Sequence, residues 1–480
     1  MTQQQKYNLQ FYINGEWCMP QKSVETLGVI DPSTATEFTQ IPLASVEDVD
    51  HAVVAAKSAF EQWSETHVET RLTLMERFLA EYENHYEEMV VAISTEMGAP
   101  LQVSREAQAE TGVGHTKEAI AAMRSMTLET TTGSGARIVR EPIGVCTLIT
   151  PWNWPINQIV SKVVPALLAG CCVVLKPSEL TPLSADLFAQ CIERAGFPPG
   201  VFNLIHGEGS VIGPALTSHP LVDMVSFTGS TRAGIEIARS AADTIKRVSQ
   251  ELGGKSANII FADADLEAMV IQGVQECMYN TGQSCDAPTR MLVEASVYDK
   301  AVKIAKRATE AHTIGSAHQE GDHLGPVVSA TQFEKIQNYI KIGIDEGAQL
   351  VAGGLGKPEG FKRGYFVKPT LFSNVNNTMR IAREEIFGPV LVIIPFEDEE
   401  EAIQIANDSD FGLGAYVSSS DREKARRVAR RLKSGTVHIN GAVQDYDVPF
   451  GGYKQSGNGR EYSLFGIHEF QEIKAINGYE

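Results

Sequence analysis

No run of about 18 consecutive apolar residues occurs in the 480-residue chain, so no stretch is long enough for a membrane-spanning helix. The opening residues, Met1-Thr2-Gln3-Gln4-Gln5-Lys6-Tyr7, lack the apolar centre of a secretory signal, and a cytoplasmic location is expected. Basic residues are in deficit. Lys and Arg total 41 against 60 Asp and Glu, a formal charge of -19, which is the wrong sign for neutralising a phosphate backbone. Cysteine is sparse: the seven, at 18, 146, 171, 172, 191, 277 and 285, form no C-x-x-C or Cys/His spacing of the kind that holds zinc, so reduced thiols and no metal are expected. Internal repeats and low-complexity linkers are also missing. One hydrophobic core does not extend over so long a chain, so roughly two or three directly packed domains are expected.

What is present is an alternation. Strand patterns at Val145 to Ile149, Cys171 to Leu175, Val201 to Ile205 and Met224 to Phe227 are separated by helical patterns at Gln158 to Leu168, Ala185 to Arg194, near Ile212, and Ala233 to Ala241. This predicts a parallel α/β sheet, which binds ligands at the carboxyl ends of its strands. A second α/β block runs from Ser256 to about Phe450. Its strands are read at Ser256 to Phe261, Met291 to Val293 and Val390 to Pro395, and its helices at Tyr298 to Glu310, Ala330 to Glu346, Glu400 to Asp408 and Glu423 to Arg431. Helical patterns at Val46 to Glu65, Val68 to Ser94 and Ser104 to Arg124 are read as scaffold, each with one apolar face. Two outlying strand patterns, Ala136 to Glu141 and Phe470 to Ile476, belong to neither block.

The stretch from Glu251 to Cys285 joins the blocks and holds a carboxylate and a thiol. Glu251-Leu252-Gly253-Gly254-Lys255 follows a β-type run, and the glycine pair lets the backbone turn where a side chain would obstruct a ligand. Cys285 follows an amphipathic pattern (Leu266, Met269, Val270, Gly273, Val274, Cys277) in a segment too polar for core, which makes its thiol accessible. The pair reads as base and nucleophile. Each alone has an ordinary reading, a small buried hydrophobe for Cys and a solvated charge for Glu. The remaining cysteines read as core.

Loops after the first block's strands carry further chemistry. Thr150-Pro151-Trp152-Asn153-Trp154-Pro155 holds an amide rigidly between two prolines. Asn153 suits an oxyanion hole, or alternatively a backbone-bonding turn. Phe227-Thr228-Gly229-Ser230-Thr231 joins a strand to a helix N-terminus, a place for a pyrophosphate.

Glu-Leu-Gly-Gly-Lys followed by Gly-Gln-x-Cys, 34 residues on (285 minus 251), resembles the aldehyde dehydrogenase superfamily. The likeness runs from Phe11-Tyr12-Ile13-Asn14-Gly15-Glu16-Trp17 to Gly457-Asn458-Gly459-Arg460-Glu461. It implies a Rossmann-like NAD-binding domain (1–123 and 144–252), a second α/β catalytic domain (253–455), and a small β element (124–143 and 456–480) through which subunits associate as a homodimer or homotetramer. It implies that Lys176 and Glu179 clamp the adenosine ribose, that Ser230 meets the phosphates, and that Glu385 holds the nicotinamide ribose beside Phe387. Ile149, Thr150, Pro151, Trp152, Ser178, Gly209, Phe227, Thr228, Gly229 and Leu252 complete the implied cofactor contacts. NAD is preferred to NADP because the Glu179 carboxylate repels a 2′-phosphate, an effect that Lys176 weakens.

The implied reaction is oxidation of an aldehyde to an acid. Cys285 adds to the carbonyl as thiolate, Asn153 and the Cys285 amide hold the oxyanion, and Glu251 activates the water that releases the product. Lys162 and Glu461, with Arg460, match positions that relay the proton; a structural ion pair is the plain alternative. The resemblance places Trp154, Gln158, Ser161, Ser284, Asp286 and the loop containing Gln444 along the aldehyde's path, with no Arg to meet a carboxylated substrate. Two rival readings are an acylating enzyme that uses coenzyme A, whose members lack the base, and a non-enzymatic structural protein on the same fold.

Overall fold

The computed structural model describes residues 9–22 and 25–479; the other eleven, including the start of the first implied domain and the last residue of the tail, lie outside it. Five parallel strands form the centre of an eight-stranded sheet in the spatial order Phe202–Leu204, Cys172–Lys176, Val145–Ile149, Met224–Thr228, Arg247–Glu251. Counted along the chain this order is 3-2-1-4-5, that of a dinucleotide-binding sheet, and it reverses between Val145–Ile149 and Met224–Thr228. Those two strands and Cys172–Lys176 are buried at every residue, as befits strands covered on both faces.

The helices between them are punctuated by the sequence. Pro155 and Pro182 open Pro155–Ala169 and Pro182–Ala195, whose ends pass into Gly170 (φ 99°) and Gly196 (φ 83°), left-handed positions that glycine takes without strain. The chain then crosses through Leu252 to Ser256 into a seven-stranded sheet, in the order Gln349–Ala352, Thr370–Ser373, Val390–Phe396, Arg290–Glu294, Ala257–Ile260, Gly414–Ser418, Thr436–Ile439. Returning from it, Gly457–Asn458 pairs back onto Gln250 and Glu251 at the edge of the first sheet. The two sheets are thus tied at the crossover from both sides.

The structure corrects several expectations. The pattern from Val68 to Ser94 is two helices, Val68–Asn84 and Tyr86–Met97, which break at His85, where the ring Nδ1 lies 2.8 Å from the Glu81 carbonyl. Apolar spacing continues across the break, so periodicity alone does not reveal it. Ser104 to Arg124 starts as a wider π turn, Ser104–Ala109, before Glu110–Ser125. Strands at Gln349–Ala352, Thr370–Ser373, Gly414–Ser418 and Thr436–Ile439 had no sequence expectation; each is only four or five residues long.

The tail was expected to need a partner from another subunit. It has one in its own chain: Gln471–Ile476 pairs antiparallel with Arg137–Pro142 from Gln471↔Pro142 to Ile476↔Arg137, and Glu129–Thr131 forms the third strand. The tail strand remains an edge, with Ile473 62 % exposed. No helix among the described residues is long and apolar enough to cross a membrane.

Candidate active site

At the point where the strand order reverses, loops from both sheets enclose a cleft of about 200 Å³. The first sheet supplies Pro151, Trp152 and Asn153 after one strand and Thr228, Gly229 and Ser230 after the next, with Leu252 and Gly253 from the crossover. Cys285, Glu385 and Phe387 face them. Residues far apart in sequence that the motifs marked are therefore brought together.

Cys285 lies beyond a strained loop. Asn280, Thr281 and Gly282 occupy the left-handed region in succession (φ 51°, 55° and 70°), which is uncommon for Asn and an outlier for β-branched Thr. Buried hydrogen bonds hold it there: Thr281 Oγ1 donates to the Gly325 carbonyl (3.1 Å), and Val328 N–H donates to Gln283 Oε1 (3.0 Å). Such strain persists only where the surroundings over-determine it. Cys285 is half-buried there, whereas Cys146, Cys171, Cys172, Cys191 and Cys277 are buried. Asn153 is 3 % exposed. Its Nδ2 donates to the Gln283 carbonyl (3.0 Å) and its own carbonyl accepts from Gln108 and Asn280 (3.0 Å each).

The glycine pair after Glu251 is explained by close approach, contrary to the turn expected from sequence. Neither glycine has positive φ. A Cβ at Gly253 would lie 2.5 Å from the Glu385 carboxylate, and one at Gly254 would strike the Cys285 carbonyl. Gly254 N–H donates to Glu385 Oε1 at 3.0 Å, which aims that carboxylate along the cleft.

Glu251 is buried and does not line the cleft, and neither of its oxygens has a hydrogen-bond partner among the described residues. Burial, and next the Glu461 carboxylate, push its carboxyl well above the ordinary range, against the opposing pull of Lys162 and Arg460. Lys162 and Glu461 form a buried ion pair beside it. The Cys285 thiol is likewise pushed well above its ordinary value, first by burial and then by Asp286, Glu385 and Glu251. Its proton must therefore be lost before the sulfur can add to a carbonyl as the thiolate expected from sequence.

Of the other expected cofactor residues, Lys176 Nζ donates to Glu179 Oε2 at 2.9 Å, and a Cβ at Gly209 would lie 3.7 Å from the same ammonium. These three sit together outside the cleft. Ile149 pairs with Lys176 at the strand ends, and Ser178 Oγ accepts from Leu180 N–H (3.2 Å). Ser230 caps the helix Thr231–Ala241. The Phe227 ring fills the space a Cβ at Gly229 would need (2.5 Å). The hydroxyls of Thr150 and Thr228 are buried without a partner among the described residues. Trp152 meets Phe387 edge to face at 5.4 Å.

A second cavity, of about 360 Å³, is lined by Ser284 and Asp286, the chain neighbours of Cys285, with Glu276, and is walled by Trp154, Tyr279 and Tyr416. Trp154 Nε1 donates to Ser284 Oγ at 2.8 Å. Gln158 and Gln444 do not line this cavity. Each carries a buried amide atom without a partner among the described residues.

Sequence reasoning missed Gln332 and Lys335, which line the cleft from the helix Ala330–Asp345. Their spacing places them on one helical face, but polar residues so spaced are ordinarily a solvated face, and nothing local distinguishes them.

Comparison with known proteins adds four findings. The chain is 53 % identical over 472 residues to a 3-succinoylsemialdehyde-pyridine dehydrogenase of a Pseudomonas species, covering 98 % of each chain. It is 51 % identical to an aldehyde dehydrogenase from Bartonella henselae, whose crystal structure superposes with a TM-score of 0.96 over 98 % of both chains. Aldehyde dehydrogenase C from Pseudomonas syringae, solved as a cysteine-to-alanine mutant with NAD+ and octanal, is 47 % identical and superposes with a TM-score of 0.97 over 98 % of this chain and 97 % of that one. The model of the aldehyde dehydrogenase family matches residues 17–476, and the chain belongs to that family.

Proposed function

We propose that the chain oxidises an aldehyde to its carboxylic acid with NAD, through a covalent adduct on Cys285. The observation that carries this reading is the meeting of Cys285 with the expected cofactor residues around one cleft. The residues present fit NAD. A helix N-terminus capped by Ser230 suits the pyrophosphate, unpartnered hydroxyls of Thr150 and Thr228 await hydrogen bonds, and Lys176 with Glu179 suits a ribose diol. The part built on the eight-stranded sheet, 1–123 and 144–252, would hold the cofactor, with residues 253–455 carrying the thiol. Bound there, NAD supplies a cationic ring that accepts the hydride.

The protein's own residues carry the remaining work. Loss of the Cys285 proton to water in the cleft lets sulfur add to the carbonyl carbon. The Asn153 amide and the Cys285 N–H stabilise the negative oxygen, a contribution of roughly 3 to 4 kcal/mol for a preorganised donor. Once the adduct has been oxidised to a thioester, Glu251 in its ionised form takes a proton from water as that water attacks, and Lys162 and Glu461 carry the proton away. The second cavity has aromatic walls, the carboxyl groups of Glu276 and Asp286 and neither Arg nor Lys, which disfavours carboxylated aldehydes. Ranking a panel of aldehydes by kcat/KM tests this; a preference for a carboxylated aldehyde would contradict it.

Cofactor choice follows from Glu179. NAD is expected to exceed NADP in kcat/KM by roughly ten- to a hundredfold, about 1.4 to 2.7 kcal/mol, a gap moderated by the Lys176 ammonium already bound to that carboxylate. Glu179→Gln should narrow the gap through the KM for NADP, since the repulsion acts on binding. Equal efficiency with both cofactors in the unmodified enzyme would contradict the assignment.

A homodimer or homotetramer is also proposed. The support is the place of Gln471–Ile476 at the edge of its three-stranded sheet, where a strand of a second copy could pair. Light scattering should give two or four times 52.3 kDa, and a stable monomer would refute it.

A further inference from the structure

Immediately after Glu461 the backbone enters a region that in practice only glycine occupies. Tyr462 has φ 74° and ψ 148°, and Ser463 follows at φ 49°. Several contacts hold it there. The Tyr462 hydroxyl accepts a hydrogen bond from Asn157 Nδ2 at 3.2 Å. Its ring centroid lies 4.0 Å from that of His115 and 5.3 Å from that of Phe450, on which it stacks. One residue back, Glu461 N–H donates to the Phe450 carbonyl (2.8 Å) and Phe450 N–H donates to that of Glu461 (3.0 Å). Asn157 belongs to the helix Pro155–Ala169, which also carries Lys162, the ion-pair partner of Glu461. Two adjacent residues of the tail, one of them in a strained conformation, are therefore bound side by side to one helix.

We propose that Tyr462 is a positioning residue which, together with Asn157, holds Glu461 against Lys162 and so tunes Glu251 as a base. The inference rests on the assignment of Glu251 as the base that activates water. The charged and titratable groups acting on Glu251 are Glu461, Lys162, Arg460 and Glu469, and it acts in turn on the Cys285 thiol. His115 stays neutral, its imidazole pushed down to about 4 by burial, so it brings no charge to the cluster. Asp286 and Cys285 act on the Tyr462 phenol, as does Glu461.

The sign follows from these neighbours. Glu461 opposes ionisation of Glu251 and also occupies Lys162. If Glu461 is released, the ammonium turns to Glu251, which then ionises at lower pH but is a weaker base, tied into an ion pair. The pH limb of thioester hydrolysis should move to the acid side and its plateau should fall.

The test needs no cofactor. p-Nitrophenyl acetate would acylate Cys285, and mass spectrometry would follow loss of the acetyl group across pH. Tyr462→Phe, which keeps the ring, should lower the plateau roughly threefold to tenfold and shift the limb to the acid side by about half to one pH unit. Asn157→Leu should do the same from the helix side, and so covers the case in which the tyrosine variant does not fold. Glu461→Gln should shift the limb further. Profiles of the Phe and Leu variants that overlay the unmodified enzyme, or that fall without moving along the pH axis, while Glu461→Gln does shift, would overturn the proposal and leave the base assignment standing. Deacetylation of Glu251→Gln at the unmodified rate would instead remove the base assignment itself.

Discussion

Cys285→Ala reduces NADH formation to background, a loss of at least about a thousandfold in kcat, while NAD binding stays within about twofold of the unmodified protein. The loss is chemical because no second thiol lines the cleft among the described residues. Cys277 is buried, its Sγ directed at the Val390 carbonyl at 3.9 Å, and the other cysteines except Cys18 are also buried. The fold tolerates the change. Cys285 is half-buried, so truncation leaves a small space open to the cleft in place of a sealed core cavity, and thermal unfolding should move little. The cofactor face remains, since Trp152, Ser230, Glu385 and Phe387 are held by contacts that do not involve the sulfur. Stopped-flow and calorimetric titration check the two halves. Full turnover in this variant would end the covalent mechanism, and loss of NAD binding would make the effect structural.

Glu251→Gln slows release of the acid by roughly a hundredfold to ten-thousandfold while the first hydride transfer persists, so NADH appears as a burst followed by a slow steady state. The amide suits the site because it matches a protonated carboxyl in shape and charge, and burial together with Glu461 keeps that carboxyl protonated well above the ordinary range. The pH dependence has a definite sign. A base with a raised pKa gains its active form as pH rises through that value, so the hydrolytic rate of the unmodified enzyme climbs with pH, and the climb disappears in the Gln variant. Coenzyme A should not raise turnover in the unmodified enzyme, which separates hydrolysis from acyl transfer. Loss of the burst along with the steady state would show that Glu251 positions the site and does not activate water.

The parallel sheet around Val145–Ile149 was legible in the sequence because its strands are continuous apolar runs with proline and glycine marking the helix ends. Four strands of the second sheet, Gln349–Ala352, Thr370–Ser373, Gly414–Ser418 and Thr436–Ile439, were not. Thr436–Ile439 is only half-buried along its length, so neither an apolar run nor a clean alternation marks it. Cys285 and Glu251 could be found because their motifs are contiguous, and the cleft does gather Cys285 with Asn153, Ser230 and Glu385. Lys335, by contrast, reaches the cleft only through the way its helix packs. The reason for the glycines at 253 and 254 lay beyond sequence altogether, because the atoms that exclude a side chain there come from Glu385 and Cys285. The upward push on the Cys285 thiol was also invisible. It depends on burial and on Asp286, Glu385 and Glu251 converging in space.

The central claim is that the aldehyde carbon becomes bonded to Cys285. The direct measurement is intact-mass and peptide mass spectrometry of Glu251→Gln quenched in acid shortly after mixing with an aldehyde and NAD. A mass increase equal to the acyl group, confined to the peptide containing Cys285 and absent without NAD, is the predicted result. An unmodified Cys285 peptide in enzyme that has already produced one equivalent of NADH would contradict the account.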